Sequence, residues 1–186
     1  MIKLEKKESI YFLTMDAGEN RWNTTFVREI AKALDTIEDD EGPGALITSA
    51  TDSKFFSNGL DLDWMQAPED YPDGGDREVF GEEFMYLMGR FITLPIPTIC
   101  ALNGHTFGAG FMFALSHDFR IMREDRGFLC ANEMQLGLPI PRPELALFKH
   151  KIPANAFFET VQLSKRWTGT DAVSYTHLPL PTSDLV

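Results

Sequence analysis

Short apolar segments typical of buried strands alternate along the chain with segments whose apolar residues recur at helical spacing. The predicted strands are Ile10–Met15, Ala45–Ser49, Thr98–Leu102 and Phe119–Met122. The predicted helices bury two faces: Phe26, Ile30, Leu34 and Ile37, and then Phe80, Phe84, Leu87, Met88 and Phe91. We expect Thr24 or Thr25 to cap the first helix, and residues 2–5 to pair with the first strand. This alternation predicts an α/β fold with parallel strand pairing.

Length and composition fit one globular domain. The chain has 186 residues, of which 44% are hydrophobic and 24% charged. No run of about 18 apolar residues is present, so no membrane-spanning helix is expected. Residues 1–8 mix charges and lack an apolar core, which argues against a secretory signal and favours an intracellular protein.

The end of the sequence departs from this pattern. Residues 174–186 switch to a proline-broken, extended composition. We expect a catalytic domain over residues 1–173, incomplete at its C-terminus, and a tail at 174–186 that is not native to the protein. The alternative is a genuine tail that docks on a partner.

The charge and the cysteines exclude several classes of function. A net charge of −11 disfavours nucleic acid and anionic membranes as partners, but it allows a small phosphate-bearing ligand. Cys100 and Cys130 lie in apolar runs, which favours buried, reduced thiols over a disulfide. No spacing of histidines and cysteines indicates a metal site.

Two segments share one design, in which an apolar strand runs into a turn of small residues and a helix begins. They are residues 55–61 and 102–110. Small residues leave the backbone N–H groups accessible, so two such turns facing each other could form an oxyanion hole. Tight packing alone could also produce these turns. A dinucleotide fingerprint is excluded because its third glycine would fall on Phe113, and consecutive Ser116, His117 and Asp118 cannot form a hydrolase triad.

Residues 55–141 resemble the crotonase, or enoyl-CoA hydratase/isomerase, superfamily. The resemblance rests on Phe56–Leu62, Pro97–His105, Gly108–Gly110, Ser116–Phe119, and Glu133 followed by Leu136–Leu138. Within the superfamily, residues 116–118 and 123–127 look most like the peroxisomal Δ3,Δ2-enoyl-CoA isomerases of plants. The resemblance implies a spiral of ββα units, with the family's C-terminal helices missing. It also implies a homotrimer or hexamer for the full-length protein, and a peroxisomal location if the source is eukaryotic, otherwise a cytoplasmic one.

The resemblance also assigns a site. The N–H groups of Asn58 and Ala109 would hold the thioester oxygen of an acyl-CoA, and Glu133 would move the proton. The substrate-binding residues implied are Ser57, Gly59, Leu60, Asp61, Gly108, Gly110 and Met112. Hydratases of this family carry a second glutamate where this chain has Met112. One acid–base group suffices to move a proton between carbons, so the departure favours a Δ3,Δ2-enoyl-CoA isomerase of fatty-acid β-oxidation. It would need no metal or separate cofactor, since coenzyme A is part of the substrate.

Other functions and roles stay open. The alternatives are an enoyl-CoA hydratase or thioesterase, or an acyl-CoA-binding module without catalysis. We expect Phe107, Phe111 and Met112 to form an apolar pocket for the acyl chain. Asp61 should bond local backbone N–H groups. The remaining candidates are expected to be hydrogen-bonded structural histidines and packing tryptophans: His105, His117, Trp22, Trp64 and Trp167.

Overall fold

The protein contains two β-sheets whose strands are mostly parallel. The computed structural model describes residues 1–67 and 74–175. The larger sheet has the order β1-β2-β3-β5-β7, and only the β1–β2 pair is antiparallel. Its strands are β1 (Ile2–Lys7), β2 (Ile10–Met15), β3 (Ala45–Ala50), β5 (Thr98–Leu102) and β7 (Phe119–Met122). The smaller sheet is parallel and has the order β4 (Phe55–Ser57), β6 (His105–Phe107) and β8 (Leu129–Cys130). The predicted α/β class with parallel pairing is therefore confirmed.

Eight helices accompany the strands within the described ranges. They are α1 (Thr24–Glu38), α2 (Leu62–Gln66), α3 (Phe80–Thr93), α4 (Ala109–Leu115), α5 (Glu133–Leu136), α6 (Arg142–Lys151), α7 (Ala154–Val161) and α8 (Gly169–Tyr175). None of these helices is both long and apolar enough to cross a bilayer. Pro68, Pro72, Gly74 and Gly75 predict a flexible, acidic loop over residues 66–76, of which residues 68–73 lie outside the described residues. Most of the predicted non-native tail, residues 176–186, also lies outside them.

The first long helix begins one residue earlier than a threonine cap would place it. Asn23 is the cap, and its side-chain oxygen accepts a hydrogen bond from the Phe26 N–H at 2.9 Å. The prediction of Thr24 or Thr25 as the cap was wrong, because Thr24 is buried and its hydroxyl donates to the Asp76 carbonyl. Asparagine is as good a cap as threonine, so the local sequence left both choices open.

An aromatic cluster joins the helices to the sheets. The Trp22 ring lies 5.0–5.1 Å from the rings of Phe26, Phe84 and Phe113, in edge-to-face contacts. The Trp22 backbone also brackets the turn after β4: its N–H donates to the Gly59 carbonyl at 2.8 Å, and its carbonyl accepts from the Asp61 N–H at 2.9 Å. The core therefore fixes the conformation of the first small-residue turn.

The two cysteines and the three tryptophans behave as the sequence predicts. Cys100 and Cys130 are buried free thiols. The exposed fractions of Trp22, Trp64 and Trp167 are 0%, 0% and 4%. These residues pack the core.

Candidate active site

A cavity of about 380 Å³ opens where the two small-residue turns meet α3, α5 and the start of α6. Its polar wall is formed by Arg21, Asn58, Gly59, Leu60, Gly108, Ala109, Asn132, Glu133 and Glu144. Its apolar wall is formed by Leu62, Met65, Phe80, Gly81, Phe84, Met112, Leu136, Leu138, Pro139 and Pro141. The volume and the mixed lining are typical of a small-molecule site.

The two turns touch each other through glycine. Gly59 has a φ of +80° and Gly108 a φ of +48°, conformations that side chains rarely adopt. A Cβ added at Gly59 would lie 3.0 Å from the Phe107 carbonyl oxygen, and one added at Gly108 would lie 2.9 Å from Oε1 of Glu133. Glycine at these positions lets the second turn approach both the first turn and the Glu133 carboxylate.

The structure corrects which backbone amide of the first turn is free to donate to a ligand. The Asn58 N–H donates to the Glu19 carbonyl at 2.9 Å, so it is not available to hold a ligand oxygen. The Trp22 N–H donates to the Gly59 carbonyl, and the Asp61 N–H donates to the Trp22 carbonyl. These two bonds flank Leu60, so the Leu60 N–H points away from Trp22. Leu60 lines the cavity.

The second amide is the one that the resemblance implies. Ala109 is the first residue of α4, where a helix leaves its N–H without an intrahelical partner. Within residues 1–67 and 74–175, neither the Leu60 N–H nor the Ala109 N–H donates to a protein acceptor. Leu60 and Ala109 therefore both line the cavity and each carry a backbone N–H group without a protein acceptor.

Glu133 faces the second turn from the start of α5. The residue is only 9% exposed, and its Oε2 is buried without a hydrogen-bond partner among the described residues. Burial raises the pKa of this carboxyl, while its own backbone N–H acts in the opposite direction. A desolvated carboxylate beside Gly108 has the properties of a general base.

A second buried carboxyl, Glu144, was missed by the sequence analysis. It lies in the first turn of α6, is 8% exposed and lines the same cavity. Burial, assisted by the charge of Glu133, raises its pKa to about 7. The available signal was helical spacing: Glu144 precedes the buried Leu147 and Phe148 by three and four residues and therefore shares their face.

Three of the implied substrate-binding residues lie outside the cavity wall. Ser57 is fully buried; it accepts a hydrogen bond from the Trp22 indole at 3.0 Å and donates to the Asn20 carbonyl at 2.7 Å. A Cβ at Gly110 would lie 2.6 Å from Cβ and Oγ of Ser57, so Gly110 serves the packing of the two turns. Asp61 caps α2 by accepting from the Trp64 N–H at 3.2 Å, which confirms its predicted local bonding.

The apolar wall differs from the prediction. Met112 lines the cavity, but Phe111 packs edge-on against Phe148, and Phe107 stacks on His105. The cavity takes its aromatic surface from Phe80 and Phe84 on α3 instead. The error arose because the direction of a side chain on a short helix such as α4 depends on long-range packing.

The two histidines have different environments. His117 is fully buried; its Nδ1 lies 2.9 Å from the Phe113 carbonyl and its Nε2 lies 2.8 Å from Oγ1 of Thr48, so it is a hydrogen-bonded structural histidine as predicted. Burial lowers the pKa of His117 to about 4. His105 stacks with Phe107 and Phe128, and its buried Nδ1 has no partner among the described residues, so the prediction of a hydrogen-bonded ring was wrong at that atom.

The fold is that of the crotonases, and the chain belongs to the enoyl-CoA hydratase/isomerase family, whose sequence pattern matches residues 5–175. The chain is 36% identical to enoyl-CoA delta isomerase 2, peroxisomal, of Arabidopsis thaliana over 93% of this chain and 73% of that protein. It is 34% identical to enoyl-CoA delta isomerase 3 of the same plant, over 94% and 74%. The structure of an enoyl-CoA hydratase from Mycobacterium ulcerans superimposes with a TM-score of 0.84 at 23% identity, covering 96% of this chain and 75% of that one.

Proposed function

We propose that this protein is a Δ3,Δ2-enoyl-CoA isomerase, which converts a 3-enoyl-CoA into the trans-2-enoyl-CoA during fatty-acid oxidation. The observation that carries the proposal is that the buried Glu133 carboxyl lines the same cavity as Leu60 and Ala109, whose amides are free. Met112, where hydratases of the family carry a glutamate, supports isomerisation over hydration. The names of the plant relatives support the same reaction.

The reaction begins with proton removal. Glu133, ionised and shielded from water, takes a proton from C2 of the 3-enoyl-CoA. Negative charge then moves onto the thioester oxygen, where the Leu60 and Ala109 N–H groups stabilise the dienolate. Each such donor contributes about 2.7–4 kcal/mol to transition-state stabilisation. Return of a proton at C4 gives the conjugated product.

The surrounding cavity favours this chemistry. Phe80, Phe84 and Met112 present an apolar surface suited to a fatty-acyl chain. A water-poor wall also strengthens the hydrogen bonds to the developing charge. The proposed mechanism uses no metal and no cofactor beyond the coenzyme A of the substrate.

The test supplies 3-hexenoyl-CoA and follows the absorbance of the conjugated thioester. The wild type should form trans-2-hexenoyl-CoA, and Glu133→Gln should lower kcat by about 10²-fold or more while acyl-CoA binding persists. The exposed carboxylate Glu124 provides a matched control, since Glu124→Gln should keep wild-type turnover. Full activity in Glu133→Gln would refute the role of this carboxylate, and binding without turnover in the wild type would indicate an acyl-CoA-binding module.

Hydration is the second candidate, because Glu144 gives the cavity a second buried carboxyl. The same assay distinguishes it when 2-hexenoyl-CoA is supplied separately. Loss of the conjugated absorbance from 2-hexenoyl-CoA, with no product from 3-hexenoyl-CoA, would replace the isomerase by a hydratase.

Assembly and compartment form part of the proposal. We propose a homotrimer or hexamer for the full-length protein, a state that light scattering would measure. A peroxisomal location in a eukaryotic cell is supported by the name of the relative enoyl-CoA delta isomerase 2, peroxisomal.

A further inference from the structure

The cavity contains a buried acid that the proposed single-glutamate mechanism does not use. Glu144 reaches the cavity from α6, whereas Glu133 reaches it from α5. Both residues are buried, at 8% and 9% exposure. No hydrogen bond or ion pair to a described residue holds the Glu144 carboxyl. A buried carboxyl without a structural partner requires a reason other than stability.

Among the charged groups near Glu144, Glu133 is the one that shifts the pKa of the Glu144 carboxyl. The neighbouring α4 carries no titratable side chain, and on α7 Glu159 is paired with Lys165. Arg21 lines the cavity, but its guanidinium is bound to Glu19 and Asp63. Burial and the charge of Glu133 both raise the pKa of Glu144, so when Glu133 is ionised, Glu144 holds its proton.

We infer that Glu144 is a second catalytic residue of the isomerase, a general acid that protonates C4 of the dienolate after Glu133 has removed the C2 proton. This inference rests on the proposed function. It assigns the base and the acid to two different helices that line one cavity, α5 and α6, so neither carboxyl has to serve both carbons.

The step balances without a co-reactant. The C2–H bond breaks, its proton forms a new O–H bond on Glu133, and its electron pair enters the conjugated enolate. As the charge returns from the thioester oxygen, the double bond moves from C3–C4 to C2–C3, and a new C4–H bond forms with the proton of Glu144. The cycle closes when the proton on Glu133 passes to Glu144, directly or by exchange with water.

The first experiment compares Glu144→Gln with the wild type on 3-hexenoyl-CoA. We expect kcat to fall about 10²-fold, within the range for loss of a general acid, while KM changes less than about threefold. Lys149→Gln, at an exposed position of the same helix, is the control for changes to α6 and should retain turnover. Wild-type kcat in a folded Glu144→Gln variant would overturn the inference.

The second experiment needs no variant and follows a label through a single wild-type turnover. The substrate carries deuterium at C2, and the product is analysed at C4. Two separate acid–base groups predict ordinary hydrogen at C4, because that proton comes from Glu144. Transfer of most of the deuterium from C2 to C4 would show that Glu133 alone moves the proton and would overturn the inference.

The pH dependence of kcat gives a third test, because a purely structural role of Glu144 would not change it. The wild-type kcat should fall as pH rises through the Glu144 pKa of about 7, because the acid then loses its proton. Glu144→Gln should lack this fall. If the wild type does not isomerise 3-hexenoyl-CoA at all, the proposed function fails; if it isomerises and the Glu144 tests fail, only the present inference does.

Discussion

Replacing Glu144 by glutamine should stabilise the protein at alkaline pH. In the folded state burial raises the pKa of Glu144 from the usual 4.5 to about 7, so folding retains a proton that the unfolded chain releases. Above pH 7 the folded protein must ionise a buried carboxyl, which lowers the free energy of unfolding. That penalty disappears as pH falls towards 4.5, where both states hold the proton. Glutamine has nearly the same shape and never ionises, so the variant avoids the penalty.

The magnitude follows from the difference between the two pKa values. One pH unit corresponds to about 1.4 kcal/mol, so a rise from 4.5 to about 7 corresponds to about 3 kcal/mol at pH 8 or above. Glu144→Gln should therefore be more stable than the wild type by about 2–3 kcal/mol at pH 8 and almost equal to it at pH 4.5.

The assay is urea unfolding of the wild type and Glu144→Gln at pH 8, 6 and 4.5, with the slope m required to be equal. The comparison must be between variants, because the low pKa of His117 gives the wild-type curve an opposing pH dependence. Glu124→Gln, at an exposed site, should show no such difference. A Glu144→Gln variant that is no more stable at pH 8, or equally stabilised at pH 8 and 4.5, would refute the reasoning.

Three further predictions concern the turns and the core. Replacing the amide before Leu60 by an ester deletes the Leu60 N–H and should lower kcat in the isomerase assay by about 10²–10³-fold. The same replacement before Asn58 should leave kcat within about threefold. Gly110→Ala should lower the free energy of unfolding by about 1–3 kcal/mol, measured in urea, because its Cβ would lie 2.6 Å from Ser57; an unchanged midpoint would contradict this packing. The third prediction compares the free energy of unfolding of the wild type with that of His117→Gln. The wild type should lose stability relative to the variant as pH falls from 6.5 towards 4, because the His117 ring is protonated in the unfolded chain before it is protonated in the folded one. A difference that does not change with pH would exclude a buried neutral imidazole.

The fold and the region of the site follow from local patterns and from the family resemblance. The apolar strands, the stripe from Phe26 to Ile37 and the two small-residue turns are each visible within a few residues of sequence. Glu133 and Ala109, which the resemblance assigns to the site, both line the cavity. These features are local because strand and helix periodicity depend on neighbouring residues.

The details that were missed depend on contacts between distant residues. The choice between the amides of Asn58 and Leu60 is made by Glu19 and Trp22, which belong to a segment far away along the chain. The role of Ser57 is fixed by the same segment. Which of these groups is already hydrogen-bonded is decided by pairing between distant segments, and local sequence does not encode that pairing.

Glu144 was missed for a different reason. Pro139, Pro141 and Pro143 interrupt the sequence before it, and this pattern indicates a loop rather than a helix. Proline is nevertheless well tolerated in the first turn of a helix, where its missing N–H has no role, and α6 begins there. A carboxylate in such a turn looks exposed in the sequence and is buried in the fold.

One tryptophan couples the interior to the chemistry. The Trp22 ring belongs to the aromatic core. The backbone and the indole N–H of Trp22 form hydrogen bonds with the segment that carries the Leu60 amide. A void opened behind this ring, for example by shortening Phe84, would be transmitted as a small displacement of the oxyanion donor. A core substitution of this kind should therefore lower kcat even where it changes the unfolding temperature little. Turnover should then report a loss of core packing more sensitively than the unfolding temperature does.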